Sequence, residues 1–250
     1  MQRVLTEKGL HLWHIDFDAA SPHVEQYRAV LNDAERKRAS RFHFRRDEHR
    51  YIIAHDALRH ILGLYLHRSP AEVSMSALKL GKPVLTDSPL EFSLSHSDAR
   101  GVIAIAHRDV GVDIERLRPI PDAKDLAQRF FSASEARHIS HCPAESQSAE
   151  FLRLWTWKEA YLKGRGVGLH IPLSSLRSPT NDYKGQNISD QDRELNAATH
   201  WMFHEFQVEH NYVGAVAVNG GFDKVEDFLW AQEQLRSGNR NDVQGLELVP

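Results

Sequence analysis

The segment GVDIE at 111–115 alternates apolar and acidic residues. Read as a strand, it places Val112 and Ile114 on one face and Asp113 and Glu115 on the other. Two carboxylates about 7 Å apart along a strand can converge on one hard divalent ion, whose remaining positions water and phosphate oxygens fill. The same pattern also fits a half-buried edge strand with solvated acids. A second segment, FLRLWTWKEAYLK at 151–163, has helical spacing. Steps of three and four from Glu159 reach Trp155, Leu152 and Leu162, so this carboxylate lies on or beside the packed face. Lys163 is its i+4 neighbour and Lys158 sits next to it. Such a group can position a metal and neutralise a phosphate, or it can be an ordinary helix pair worth about 0.2–0.5 kcal/mol.

A third constellation suits an anionic ligand. The block ERKRASRFHFRRDEHR (35–50) holds seven Arg and Lys against three acids. With the turn Gly81-Lys82-Pro83 and the hydroxyl and imidazole groups of Ser95-His96-Ser97, it offers the donors that a phosphorylated small molecule needs. The block also fits a solvated helix face, and His96 is one of 16 histidines. No HxxxH pair carries a helical Glu in metalloprotease order, which sets zinc aside.

These groups need elements to hold them. Leu10, Leu12 and the Trp13–Ile15–Phe17 alternation read as a strand. Asn32 or Asp33 caps a helix that runs into the basic block, and a second helix carries the stripe Ile52, Ile53, Ala57, Leu58, Ile61, Leu62 and Tyr65 until Ser69–Pro70 ends it. Strands are expected around 75–80, over 90–97, 101–107 and 110–117, with hairpin spacing between them. Helices follow at 122–131, after the capping box Ser132–Glu135, and over 151–164. Residues 178–197 read as a polar surface insertion. Strands then cover 201–210 and 212–220, and the acidic tail beyond Gly221 is weakly patterned apart from Phe228–Leu229–Trp230. Both parts run helices first and then a meander, which suggests a duplicated unit divided into 1–117 and 118–250.

Composition narrows the class. At 250 residues, with 41% hydrophobic and 26% charged residues, the chain can bury a real core. A net charge of −3 gives no global basic field for nucleic acid, and the single cysteine, Cys142, excludes an internal disulfide and a Cys-rich zinc site. No apolar run spans a bilayer and no secretory signal is visible at the start, so a cytoplasmic protein away from membranes is expected.

Taken in order, ERKRASRF, GKPVL, SHS, GVDIE, RFFSASE and WTWKEAYLKGRGVGL resemble the 4′-phosphopantetheinyl transferase superfamily, in its larger single-chain class. The likeness runs from about Arg36 to Leu169. It implies an α+β fold of two similar halves in pseudo-twofold arrangement, each with helices packed on a small antiparallel sheet and with the active-site cleft between them. It implies transfer of the phosphopantetheine arm of coenzyme A to a serine of an acyl or peptidyl carrier protein, with release of adenosine 3′,5′-bisphosphate.

The resemblance also assigns residues. Asp113, Glu115 and Glu159 would hold Mg²⁺, with Mn²⁺ as an alternative. Lys163 and His96 would contact the coenzyme A phosphates, helped by Lys158. Arg38, Arg50, Ser95 and the turn Gly81, Lys82 and Pro83 would hold the nucleotide. Glu159 would be a metal ligand first and the base for the carrier serine second, with Asp113 and Lys163 completing the catalytic set. Carriers are acidic, and Arg129, Arg137, Arg165 and Arg177 would complement one. The enzyme is expected to act as a monomer, with no nucleic-acid partner. A coenzyme A-binding module without turnover, or a basic-helix nucleic-acid binder, are the competing readings; the second leaves GVDIE and WTWKE unexplained.

Overall fold

The computed structural model describes residues 4–176 and 200–231. The expected insertion at 178–197 lies outside them, as does Arg177. The first sheet is built from β1 (Gly9–Asp16), β4 (Glu91–Ser97), β5 (Arg100–Ala106) and β9 (Lys224–Trp230), in the order β4-β5-β1-β9. The second holds β6 (Val110–Arg116), β7 (Trp201–Val208) and β8 (Tyr212–Asn219), in the order β6-β8-β7. A separate hairpin pairs β2 (Met75–Ala77) with β3 (Pro83–Leu85). The expected strand at 75–80 is therefore shorter and turns back on itself.

Each sheet carries one long helix. The helix α4 (Arg45–Leu66) covers the first sheet, preceded by the short helices α1 (Phe17–Ala20), α2 (Val24–Tyr27) and α3 (Asp33–Ala39). The helix α7 (Ala144–Arg165) covers the second, with α5 (Ala123–Phe130) and α6 (Ala133–His141) beside it. Alternation along the strands sorts the core into layers. In β1 and β5, Trp13, Ile15, Ile103 and Ile105 face α4, whereas Leu10, Leu12, Val102 and Ala104 face the other sheet. In β6 and β8, Val112, Ile114, Val216 and Val218 face back, closing an apolar layer between the sheets. The stack is helices, sheet, sheet, helices. This is the α+β fold of two helix-covered halves that the sequence implied.

Two strands cross the expected division. β6 lies before residue 117 yet pairs with β8 in the second sheet, and β9 from the far end of the chain joins the first sheet, parallel to β1. The first sheet is therefore not purely antiparallel, and sheet membership does not follow a cut at 117/118. Among the described residues no helix is long and apolar enough to cross a membrane.

The contact between β6 and α7 depends on glycine. A Cβ at Gly111 would overlap the Ala160 carbonyl oxygen and the Gly164 nitrogen, and would lie 2.8 Å from Gly164 Cα. Only a hydrogen at 111 lets the helix backbone rest on the strand. Trp155 packs at the margin of the core, half-buried and stacked on Phe151, while Trp157 is buried and stacks on Phe203 with ring centroids 4.4 Å apart. Gly111→Ala is expected to cost at least the 1–3 kcal/mol typical (roughly) of overpacking, because both clashing partners are backbone. Thermal unfolding checks this, and a variant as stable as the parent would refute the close-approach account.

Candidate active site

The edge strands β4 and β6 of the two sheets run beside each other, and serine side chains do the work of a missing main-chain ladder. Ser93 Oγ accepts from the Val112 N–H at 3.1 Å, and Ser97 Oγ accepts from the Arg116 N–H at 3.1 Å. Between them the Ser95 hydroxyl donates to Asp113 Oδ1 at 2.8 Å, and Ser97 donates to Glu115 Oε2 at 2.8 Å. Period-two serines on one face of β4 thus meet the period-two acids of β6.

Because α7 rests on Gly111, its Lys163 reaches the same point. The Lys163 ammonium donates to Asp113 Oδ1 at 2.7 Å and to Ser95 Oγ at 2.9 Å. Asp113 is buried, and its other oxygen, Oδ2, is buried with no hydrogen-bond partner. Glu159 is half-buried, and among the described residues no ion pair holds it. Burial, and then the neighbouring carboxylate of Asp113, push Glu159 above the usual carboxylate range; Lys163 pulls it down and Glu115 adds to the rise. Glu159 is therefore crowded by like charge, the condition under which a carboxylate takes up a proton or a cation.

The remaining expected residues divide. His96, beside Ser95, meets the Phe17 ring edge-on at 5.9 Å. The side chain is exposed to solvent at its rim, yet desolvation first and then the cations Lys163 and Arg50 lower its pKa, which favours the neutral imidazole. Arg50 on α4 is held by Asp98 at 2.6 Å. Arg38 on α3 is exposed and lies over the Tyr51 ring at 5.8 Å, with no bond to the Asp113 cluster. Gly81 has φ of +94° in the turn between β2 and β3, where L side chains are strained, and Pro83 begins β3. Lys82, expected on the nucleotide, is engaged within the protein: its ammonium donates to the Gly164 carbonyl at 2.9 Å and to Glu91 at 3.2 Å. This bond ties the hairpin of one half to the end of α7 in the other.

Lys158 is a correction. It points away from the cleft and is 1% exposed, paired with buried Glu135 at 2.9 Å and donating to the Leu173 carbonyl at 3.0 Å. Consecutive residues on a helix do not share a face, so the neighbour of a site glutamate is free to serve the core. The sequence reading passed over Ser93 and Asp98 and took Ser97 only as a donor to an anionic ligand; the alternation of serine in FSLSHS was the available signal for its pairing with the acids.

Among the described residues no three His, Cys, Asp or Glu side chains form a ready metal-holding group. Asp113 bonds Lys163 and Ser95, Glu115 bonds Ser97 and Arg118, and among the described residues no hydrogen bond or ion pair holds Glu159, although it feels the charge of both other acids. The donor set still fits a hard cation. Mg²⁺ commonly uses one or two protein carboxylates with substrate oxygens, and the orphaned Asp113 Oδ2 and the crowded Glu159 are oxygen donors of that kind.

Glu159 in a repelled, charged state costs stability above its raised pKa, and that cost disappears as pH falls below the ordinary carboxylate range. Glu159→Gln should therefore raise the melting temperature of the metal-free protein at pH 7–8. The gain should shrink towards pH 4. A variant less stable than the parent at pH 8 would contradict the crowding.

Comparison with known proteins gives the family. The profile of the 4′-phosphopantetheinyl transferase superfamily matches residues 109–217, and that of the 4′-phosphopantetheinyl transferase N-terminal region matches 17–108. Their junction falls at the start of β6, where the second sheet begins. The 4′-phosphopantetheinyl transferase HetI of Nostoc sp. is 36% identical over 224 residues, covering 86% of this chain and 90% of the relative. The 4′-phosphopantetheinyl transferase psf-1 of Bacillus pumilus is 35% identical over 67% of this chain and 72% of its own length. The 4′-phosphopantetheinyl transferase Sfp of Bacillus subtilis is 29% identical over 61% and 67%. With the serine-stitched cleft, its lysine and its acids all lying inside the matched region, the chain belongs to the 4′-phosphopantetheinyl transferase superfamily.

Proposed function

We propose that the protein transfers the phosphopantetheine arm of coenzyme A to a serine hydroxyl of an acyl or peptidyl carrier protein, with Mg²⁺ at Asp113, Glu115 and Glu159. The observation that carries the reading is the junction where Ser95, Asp113 and Lys163 bond one another beside Glu159. In the reaction a serine Oγ–phosphorus bond forms, the bond from that phosphorus to the bridging pyrophosphate oxygen breaks, and adenosine 3′,5′-bisphosphate leaves.

The side chains supply what such a step needs. Lys163 sets a fixed ammonium where the pyrophosphate would lie, so it offsets charge on the leaving oxygen without moving. His96, favoured as the neutral imidazole, donates one hydrogen bond to a phosphate oxygen and brings no further charge. Glu159, with its raised pKa, accepts the serine proton more readily than an ordinary carboxylate. A bound Mg²⁺ supplies positive charge to the phosphate oxygens and orients them. Arg50 and Arg38 extend a cationic path along α4 and α3 towards the nucleotide end. Arg129 and Arg137 are exposed on α5 and α6, where they complement an acidic carrier.

Intact mass spectrometry of apo carrier proteins, incubated with coenzyme A and Mg²⁺, tests the reading. The carrier should gain one phosphopantetheine arm. Asp113→Ala or Glu159→Ala should slow the gain by about a hundredfold or more, with an unchanged circular dichroism spectrum. Parent-like labelling by both variants would overturn the assignment of these acids.

A further inference from the structure

The turn between β4 and β5 is bound to more elements than a hairpin end requires. Its Asp98 has φ of +47°, a left-handed conformation that Asp tolerates better than most residues. Its carboxylate accepts from Arg50 of α4 through Oδ1 at 2.6 Å and from Arg116 of β6 through Oδ2 at 2.5 Å. Arg50 belongs to the helix of the first half, and Arg116 ends the strand that carries Asp113 and Glu115. One carboxylate therefore joins the two halves two residues from His96. Next to it the Ala99 N–H donates to Tyr212 Oη at 3.2 Å, and Arg100 bonds Asp16 at 3.0 Å and Glu209 at 2.6 Å. The Tyr212 and Glu209 contacts already dock the turn on the second half, so Asp98 is not needed to hold it closed.

On its other side Arg50 lines a cleft of about 240 Å³ with Phe17, Ser21, Arg45, Arg46 and His49. Phe17 is the ring that touches His96. Arg45 and Arg46 are exposed, while the Arg50 side chain is 14% exposed. An arginine so enclosed keeps its direction only if an acceptor fixes it, and Asp98 is the carboxylate that does so.

Resting on the proposed coenzyme A site, we propose that Asp98 is a positioning residue that aims the Arg50 guanidinium at the nucleotide phosphates by anchoring it to Arg116 across the two halves. Asp98 touches no substrate. It acts through Arg50, so its effect belongs to coenzyme A binding and not to the chemical step or to carrier recognition.

Asp98→Asn keeps the shape of the side chain and its tolerance of the left-handed backbone while removing the charge. Coenzyme A binding by calorimetry should weaken by about tenfold, the size of a lost charge-assisted anchor. KM for coenzyme A should rise in step, with kcat and KM for the carrier unchanged and the melting temperature within a few degrees of the parent. On an Arg50→Gln background the same substitution should change affinity by less than about twofold, because the two residues act as one unit. Asp98→Gly, which relaxes the positive φ, should reproduce the loss if Asp98→Asn folds poorly. Parent-like affinity in Asp98→Asn and Asp98→Gly, or an equal further loss on the Arg50→Gln background, would overturn the positioning role. A parent protein that binds no coenzyme A would instead overturn the proposed function, and this inference with it.

Discussion

A lysine ammonium shared between a serine hydroxyl and an aspartate fixes the relative position of three elements. Lys163 comes from α7, Ser95 from the edge of the first sheet and Asp113 from the edge of the second. The apolar layer between the sheets holds the surfaces together without fixing their register; this junction and the Ser93 and Ser97 bonds on either side of it supply direction. Charge-assisted hydrogen bonds are directional, so they set that register and bring Glu159 and His96 to the same mouth. The junction forms because Gly111 allows α7 to lie on β6 backbone to backbone. Stability and function pull in opposite directions here. The orphaned Asp113 Oδ2 and the crowded Glu159 burden the unliganded protein, and positive charge placed beside them would relieve both.

Much of this was legible in the sequence where the pattern was local. The alternation in GVDIE placed Asp113 and Glu115 opposite Val112 and Ile114, as the strand does. Helical spacing placed Lys163 on the side of Glu159, and Gly164 and Gly166 marked the end of that helix. The start was misjudged, because α7 begins at Ala144 behind Pro143 and its first turns are polar.

What could not be read depends on partners distant in sequence. β9 was missed because Glu226 and Asp227 break its apolar pattern. Their partners are His11 and His14 of the parallel neighbour β1, at 3.2 and 2.7 Å, so the acids are half-buried against imidazoles. Lys158 was placed on the ligand because it sits next to Glu159 in the WTWKEAYLK segment. Its partner Glu135 is a capping-box glutamate on another helix, and only the fold unites them. Lys82 carries the same lesson, since its acceptor is a carbonyl 82 residues away.

The central claim is that the acids at the seam create a site where coenzyme A and a divalent cation bind together. Calorimetric titration of coenzyme A, with and without Mg²⁺, tests it most directly on the parent and on Asp113→Asn. The account predicts that Mg²⁺ tightens binding to the parent by about tenfold or more and leaves the variant unaffected. Equal affinity with and without the ion in the parent, or an Mg²⁺ effect that survives in Asp113→Asn, would contradict it.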